Sequence, residues 1–154
     1  MNSVIRKAQL QDLTHLARLF DLYRQFYGQE TDLAGAENFI KERILQKDSL
    51  ILVSEIQEDK TFAGFAQLYP SWSSIGMKKT WILNDLYVDS SFRSHGTGEA
   101  LVLKAMEIAR NSGARSLSLQ TARTNTKAQK LYERLGWKKD EKFLTYSVRL
   151  EGVD

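Results

Sequence analysis

Leu86-Tyr87-Val88-Asp89-Ser90-Ser91-Phe92-Arg93-Ser94-His95-Gly96-Thr97-Gly98-Glu99-Ala100-Leu101 is the stretch that decides how this chain is read. It leaves an apolar strand over 82–88, crosses a polar turn, passes two glycines one residue apart and runs into a helix over 99–111. The first N–H groups of a helix lack intrahelical acceptors, and the helix dipole makes that end positive. Glycines at 96 and 98 permit backbone angles closed to other residues and let a ligand approach with no Cβ in the way. The arrangement predicts a site for a phosphate or diphosphate. By itself Gly-x-Gly is equally a flexible turn before a helix. A Walker loop is excluded, because Gly98 is followed by Glu99-Ala100 and not by Lys and a hydroxyl residue. A dinucleotide fingerprint is excluded as well, because Leu101 stands where its third glycine belongs.

Working outward, Thr80 to Val88 is apolar on both faces, as a central strand covered on each side would be. Residues 71–79 read as a loop. Residues 49–56 and 61–69 are two β-branched and aromatic runs joined by Gln57-Glu58-Asp59-Lys60, which is a hairpin pattern. Leu13, Leu16, Ala17, Phe20, Tyr23 and Tyr27 fall at helical spacing over 11–27, and Phe39, Ile40 and Ile44 mark another helix over 34–46. Residues 3–9 read as the first strand. Downstream, Ser112-Gly113 closes the helix, and a strand over 116–121, a helix over 125–135 and a strand over 143–150 follow. Hairpins early and alternation late predict a mixed α/β sheet with helices on its faces, built as a single domain over 1–154.

The composition narrows the function. With 154 residues, 42% hydrophobic and 27% charged, the chain is long enough and apolar enough for one real core. The lack of cysteine excludes disulfides, thiolate metal sites and a covalent Cys-acyl intermediate. No His/Asp/Glu cluster has ligand spacing, so no metal is expected. A formal charge of +3 is too small to call for nucleic acid, though it favours an anionic small ligand. No run approaches the ~18 apolar residues of a membrane span, and no signal-type apolar core is present, so a cytoplasmic protein with no membrane partner is expected.

A second motif, Asn125-Thr126-Lys127-Ala128-Gln129-Lys130-Leu131-Tyr132-Glu133-Arg134-Leu135-Gly136-Trp137, lies about thirty residues beyond the first. Arg93-x-x-Gly96-x-Gly98, preceded by Leu86-Tyr87-Val88, resembles the acetyl-CoA signature of the GCN5-related N-acetyltransferases. The Asn-x-x-Ala-x-x-Leu-Tyr-x-x-x-Gly-Trp run resembles that family's downstream motif, and Ile5-Arg6-x-Ala8-x-x-x-Asp12 its opening strand and helix. The resemblance implies a mostly antiparallel sheet of six to seven strands flanked by about four helices, with strands 81–88 and 116–121 splayed around the donor. It implies that pantetheine pairs with the backbone at Leu86 and Val88, like an added strand. The pyrophosphate would sit on N–H groups of Ser94, His95, Gly96, Thr97 and Gly98, with Arg93 or Ser94 at the mouth. Asn125 would bond the pantetheine arm, and Ala128 would leave room beside it. Lys127 and Lys130 are either outer-phosphate ligands or solvated helix charges. A backbone N–H at Leu86 or Tyr87 would receive the oxyanion. Tyr132 would be the general acid for the leaving sulfur: a phenol, ordinarily near pKa 10, is close to a thiol at about 8.5.

The segment Trp81-Ile82-Leu83-Asn84-Asp85-Leu86-Tyr87-Val88 looks closest to members acting on polyamines, diamines or histone tails. Those relatives commonly carry Glu, often assigned as base, where this chain has Asn84, and an amide accepts no proton at neutral pH. The base is then Asp85, a carboxylate such as Glu30 or Asp32, or water. Tyr27 and Trp72 are candidates to line the acceptor pocket with Glu30, Asp32 and Asn84, while Trp72 is equally a homodimer contact. His95, inside the phosphate loop, reads as exposed or backbone-positioning. The expected activity is acetyl transfer from acetyl-CoA to a primary amine of a small molecule, by direct attack in a ternary complex. A protein lysine or N-terminus is the alternative acceptor, and a non-catalytic CoA-binding module the alternative class.

Overall fold

The computed structural model describes residues 2–152. The chain forms two compact units that divide between Gln120 and Thr121. In the first, β1 (Ser3–Lys7), β2 (Leu50–Ile56), β3 (Phe62–Ser73), β4 (Lys78–Val88) and β5 (Ser116–Ser118) lie side by side in that order. Neighbours from β1 to β4 are antiparallel, and β4 pairs with β5 in parallel. Helices α1 (Leu13–Phe26) and α2 (Leu33–Gln46) connect β1 to β2, and α3 (Thr97–Asn111) connects β4 to β5. The second unit contains α4 (Thr126–Arg134).

The period of two along β3 assigns its side chains to opposite faces. Phe65 meets Phe20 of α1 edge-on, so Phe65, Gln67 and Tyr69 share the α1 face. Gly64 faces the other way: a Cβ built on it would approach Leu101 of α3 to 3.4 Å and the Tyr87 carbonyl oxygen to 2.6 Å, so only glycine fits there. Leu16, Leu19, Phe20 and Ile40 from the two helices pack with Ile51, Val53 and Phe65 of the sheet into the main core. Each such side chain contributes about 1.5–3 kcal/mol on burial.

Two irregularities shape the rest of β4. Gln67 pairs with Asp85 but Leu68 pairs with Leu83, so Asn84 is an extra residue bulged out of the ladder. Moreover, β5 pairs only with Thr80, Trp81 and Ile82. From Leu83 to Val88, β4 has no strand neighbour on that side among the described residues, because β5 is paired over its whole length and ends at Ser118.

The mixed architecture agrees with the reading of the sequence, but the strand count does not. Five strands are present among the described residues rather than six to seven. The strand expected over 116–121 stops at Ser118. Residues 143–150 alternate apolar and polar from Leu144 to Leu150, yet they join no ladder, and Phe143, Leu144, Tyr146, Val148 and Leu150 stand exposed. That pattern describes a strand only where a partner and a face to bury against exist. The loop expected over 71–79 shrinks to residues 74–77, because β3 and β4 continue as a ribbon beyond the end of β2. Serines are tolerated in that ribbon since it outruns the core, and Pro70 lies just past the last β2 pair, Leu50 with Leu68.

Candidate active site

The end of β4 delivers the chain into the phosphate loop. Asp89 anchors the turn: its N–H donates to the Ala63 carbonyl at 2.9 Å, and its carboxylate accepts from the Ser91 N–H at 3.1 Å and from Arg18 at 3.1 Å. Burial opposes its ionisation, but those donors hold its carboxyl below the usual range. Beyond it, Ser94 and Gly96 both adopt left-handed backbone angles, φ 66° and 79°. Gly96 is the N-cap of α3 and brings no side-chain acceptor to the first turn. Left-handed residues just ahead of an uncapped helix turn N–H groups toward a common anion site.

The two glycines are required for different reasons. At Gly96 the backbone angle demands glycine, although a Cβ would meet nothing within 4 Å. At Gly98 the fold makes no such demand, since a Cβ would sit at an ordinary 3.7 Å from Val88. Its missing Cβ leaves room for a group such as a diphosphate to approach from outside. The open edge of β4 leads into this turn, so a chain bearing amides and ending in a diphosphate fits the groups present.

Arg93 behaves differently from the expectation of a phosphate ligand at the mouth. Its Nε donates to the Val88 carbonyl at 3.0 Å, and its guanidinium lies 5.6 Å from the Tyr87 ring centre and 5.9 Å from that of Phe26. It bridges the loop to the end of α1. His95 is exposed with Nδ1 3.2 Å from the Phe92 carbonyl, as a backbone-positioning residue would be. Leu86, Tyr87 and Val88 are half-buried at the end of β4, and Thr97 opens α3.

In the second unit Asn125 is the N-cap of α4, its side-chain oxygen accepting from the Ala128 N–H at 3.2 Å. The carboxamide NH2 is then the group left to meet a ligand carbonyl. Lys127 and Lys130 are exposed. Tyr132 is half-buried, its ring 5.7 Å from that of Trp137.

On the α1 face of the sheet the bulge presents Asp85, which is 4% exposed. Its Oδ1 accepts from Asn84 Nδ2 at 2.9 Å and its Oδ2 from Gln67 Nε2 at 2.5 Å. Two phenols that the sequence did not single out border it. Burial first, then the negative charge of Asp85, raises Tyr69 to about 12 and Tyr23 higher still, so both remain O–H donors at neutral pH. Tyr23 also touches the exposed Tyr27 ring, with centres 5.2 Å apart. Asp21, likewise missed, is a buried carboxylate on α1. It accepts from the Thr31 hydroxyl at 2.6 Å, the Asp32 N–H at 2.8 Å and Gln25 at 3.1 Å. It thereby fixes the loop that carries Glu30 and Asp32. Asp32 in turn caps α2 by accepting from the Gly35 N–H, and it lines a groove of about 290 Å³ with Phe20, Arg24 and Phe39.

Trp72 is not brought to this group. Strand alternation sets it on the face of Gly64 and Leu68, opposite Asp85, paired with Lys79 beside Trp81. Its grouping with Tyr27 as pocket lining is therefore corrected; it is 72% exposed. Among the described residues, no group of three or more His, Cys, Asp or Glu could hold a metal ion, and no helix is long and apolar enough to cross a membrane.

This geometry has counterparts in known proteins. The chain is 44% identical over 146 residues to an uncharacterized N-acetyltransferase of Bacillus subtilis (strain 168), covering 95% of this chain and 97% of that one. The crystal structure of a probable acetyltransferase superposes with a TM-score of 0.91 at 36% identity, over 99% of both chains. A ribosomal-protein-alanine N-acetyltransferase from Brucella melitensis biovar Abortus 2308 shares the fold, with a TM-score of 0.82 at 19% identity, over 97% of this chain and 100% of that one. The model of the acetyltransferase (GNAT) family matches residues 16–137. The chain thus belongs to the GNAT family of acetyltransferases, enzymes on a fold that uses acetyl-CoA.

Proposed function

We propose that this acetyltransferase carries the acetyl group of acetyl-CoA to the primary amine of a small molecule, such as a polyamine, a diamine or an amino-acid-like amine. The observation that carries the donor half is the open edge of β4 over Leu83–Val88 running into a glycine turn whose Gly98 keeps clear a space its own packing does not need. Leu86 and Val88 would bond the pantetheine amides, and the N–H groups from Ser94 to Gly98 the pyrophosphate. Asn125 and Ala128 would border the arm. Arg93 serves the α1 side of the loop rather than the phosphates.

The acceptor half rests on Asp85. A primary amine arrives protonated and must lose a proton before it attacks. Asp85 supplies a carboxylate on the α1 face, and Asn84 beside it donates a hydrogen bond in place of accepting a proton. The amine nitrogen then bonds the acetyl carbon, the carbon–sulfur bond breaks, and Tyr132 protonates the departing sulfur. The proton the nitrogen sheds on becoming an amide is balanced by the one that returns Tyr132 to its phenol form. Without cysteine, transfer proceeds directly between the two substrates. The reading includes one domain over 1–154, cytoplasmic residence and a homodimer, for which the exposed Trp72, Ile75 and Met77 are the contact candidates.

The test is steady-state release of free CoA thiol from acetyl-CoA across an amine panel that includes diamines, amino acids, a lysine peptide and a free peptide N-terminus. Turnover with small amines supports the reading. Turnover confined to the peptides replaces the acceptor, and tight acetyl-CoA binding with no thiol release on any amine removes the enzyme.

A further inference from the structure

Gln67 has no solvent exposure, yet it sits in the middle of β3, where its neighbours Ala66 and Leu68 are apolar and equally buried. A carboxamide buried at that position costs stability unless both of its ends are bonded. Both are. The Ser49 hydroxyl donates to Gln67 Oε1 at 2.8 Å, and Gln67 Nε2 donates to Asp85 Oδ2 at 2.5 Å. The carboxylate, which only accepts, decides which way the amide lies: it takes the N–H of Gln67 Nε2, and the amide oxygen is left to the Ser49 hydroxyl, which holds the far end of the side chain. Asn84, the bulged residue, holds the other oxygen of Asp85 at 2.9 Å. The carboxylate plane is therefore pinned at both ends by N–H donors from two strands.

Such a clamp stabilises a rotamer rather than a core. An apolar residue would fill the interior without needing Ser49 at all. We propose that Ser49 and Gln67 are positioning residues for the acceptor: acting through Asp85, they fix the orientation in which its carboxylate meets the primary ammonium of the incoming amine. This inference rests on the assignment of Asp85 to the acceptor half, and it extends the acceptor machinery to residues 18 and 36 positions away in sequence from Asp85. Register brings the three together: Gln67 lies opposite Asp85 in the β3–β4 ladder, and Ser49 immediately precedes β2, which flanks β3 on its other side.

The experiment compares Ser49→Ala, Ser49→Thr, Gln67→Met, the double variant Ser49→Ala/Gln67→Met and Asp85→Asn with the unaltered enzyme. Readouts are kcat and KM for the best amine of the panel, the acetyl-CoA Kd by calorimetry, and the Tm. Ser49→Ala is expected to lower kcat/KM for the amine about tenfold while the acetyl-CoA Kd stays within about twofold, and Ser49→Thr, which keeps the hydroxyl, is expected to restore it. Gln67→Met should lose at least as much, and the double variant no more than Gln67→Met alone, because the two residues act as one chain. Since Ser49 is only half-buried, Ser49→Ala keeps the test open if Gln67→Met does not fold. Full amine kcat/KM in Ser49→Ala beside an impaired Asp85→Asn overturns the proposal alone, as does a fall confined to Tm, a parallel fall in donor affinity, or multiplicative losses in the double variant. Full activity of Asp85→Asn, or no turnover by the unaltered enzyme, overturns the underlying assignment and this proposal with it.

Discussion

Arg93 Nε donates to the carbonyl of Val88 at 3.0 Å, so the last carbonyl of β4 is bonded to the first side chain of the glycine turn. The same guanidinium lies near the Tyr87 and Phe26 rings, which ties the glycine turn to the end of α1. Cation–π contacts at exposed sites are worth about 0.5–1 kcal/mol each. Arg93→Ala is expected to raise KM for the amine about three- to tenfold and to change the acetyl-CoA Kd less than about threefold. Calorimetry with acetyl-CoA beside amine saturation curves measures both; a donor affinity that collapses would return Arg93 to the phosphates.

The contrast between the two glycines is directly testable. Gly98→Ala should leave Tm unchanged or slightly higher, since the fold accommodates its Cβ and alanine is the better helix former by up to about 1 kcal/mol. Its acetyl-CoA Kd should weaken at least about tenfold, a cost of about 1.4 kcal/mol. Gly96→Ala, at φ 79°, should instead lose about 1–2 kcal/mol of stability. Equal donor affinity in Gly98→Ala and the parent chain would deny the loop its ligand.

Tyr132→Phe keeps the ring against Trp137 and removes only the hydroxyl. Loss of a general acid typically costs about 10²–10⁴ in rate. A fall of kcat by about a hundredfold is expected, with acetyl-CoA affinity within about threefold, by saturation kinetics and calorimetry. An unchanged kcat at saturation would take Tyr132 out of the mechanism.

Carboxylates held below their usual range, Asp89 among them, make stability fall in acid. The Arg6 guanidinium holds the carboxyls of Asp12 and Glu55 below their usual range, and the Asp32 N–H does the same for Asp21. A carboxyl depressed on folding stabilises fully above its unfolded value, about 3.9 for Asp and 4.3 for Glu, and loses that contribution as pH falls through the folded value. Melting followed from pH 7 to pH 2.5 should be nearly flat down to about pH 5 and then drop. Asp12→Asn should melt lower at pH 7 and show a shallower acid limb; an unaltered limb would exclude the Arg6 pair as a source of it.

Asp21 bonds three donors, two of which, the Thr31 hydroxyl and the Asp32 N–H, belong to the loop between α1 and α2, while Gln25 lies on α1 itself. Asp21→Ala should cost about 1–3 kcal/mol in a denaturant melt. It should also raise the amine KM more than the acetyl-CoA Kd. A destabilised variant with an unaltered amine KM would separate this loop from acceptor binding.

The strand–glycine turn–helix geometry proposed to hold the donor was legible in the sequence because its determinants are local: a strand, two glycines and a helix start lie within one short run, and their physics needs no distant partner. The acceptor half was legible only in part. Asp85 stood out as a carboxylate on the central strand, but Gln67 reaches it through strand register, Ser49 through Gln67, and Tyr23 through the packing of α1 on the sheet, none of which one-dimensional spacing encodes. The bulge at Asn84 is equally non-local, since it exists only as a mismatch against Leu68 and Gln67. Trp72 was misgrouped because the serines around it suggested a loop; once β3 is seen to run on to Ser73, alternation alone turns its ring to the other face. Apolar alternation over 143–150 resembled a strand for the converse reason, being a pattern without a ladder.

Among the described residues the margin of β4 from Leu83 to Val88 pairs with no strand, although Arg93 holds its last carbonyl, and this has a practical side. A bare row of amides and carbonyls is a template on which a neighbouring molecule can lay a strand, and natural sheets guard against that hazard. Under the proposed function the margin serves a small partner, so the same groups that would welcome pantetheine would also invite clumping. Preparations saturated with CoA should stay dispersed on storage at concentrations where ligand-stripped ones turn cloudy.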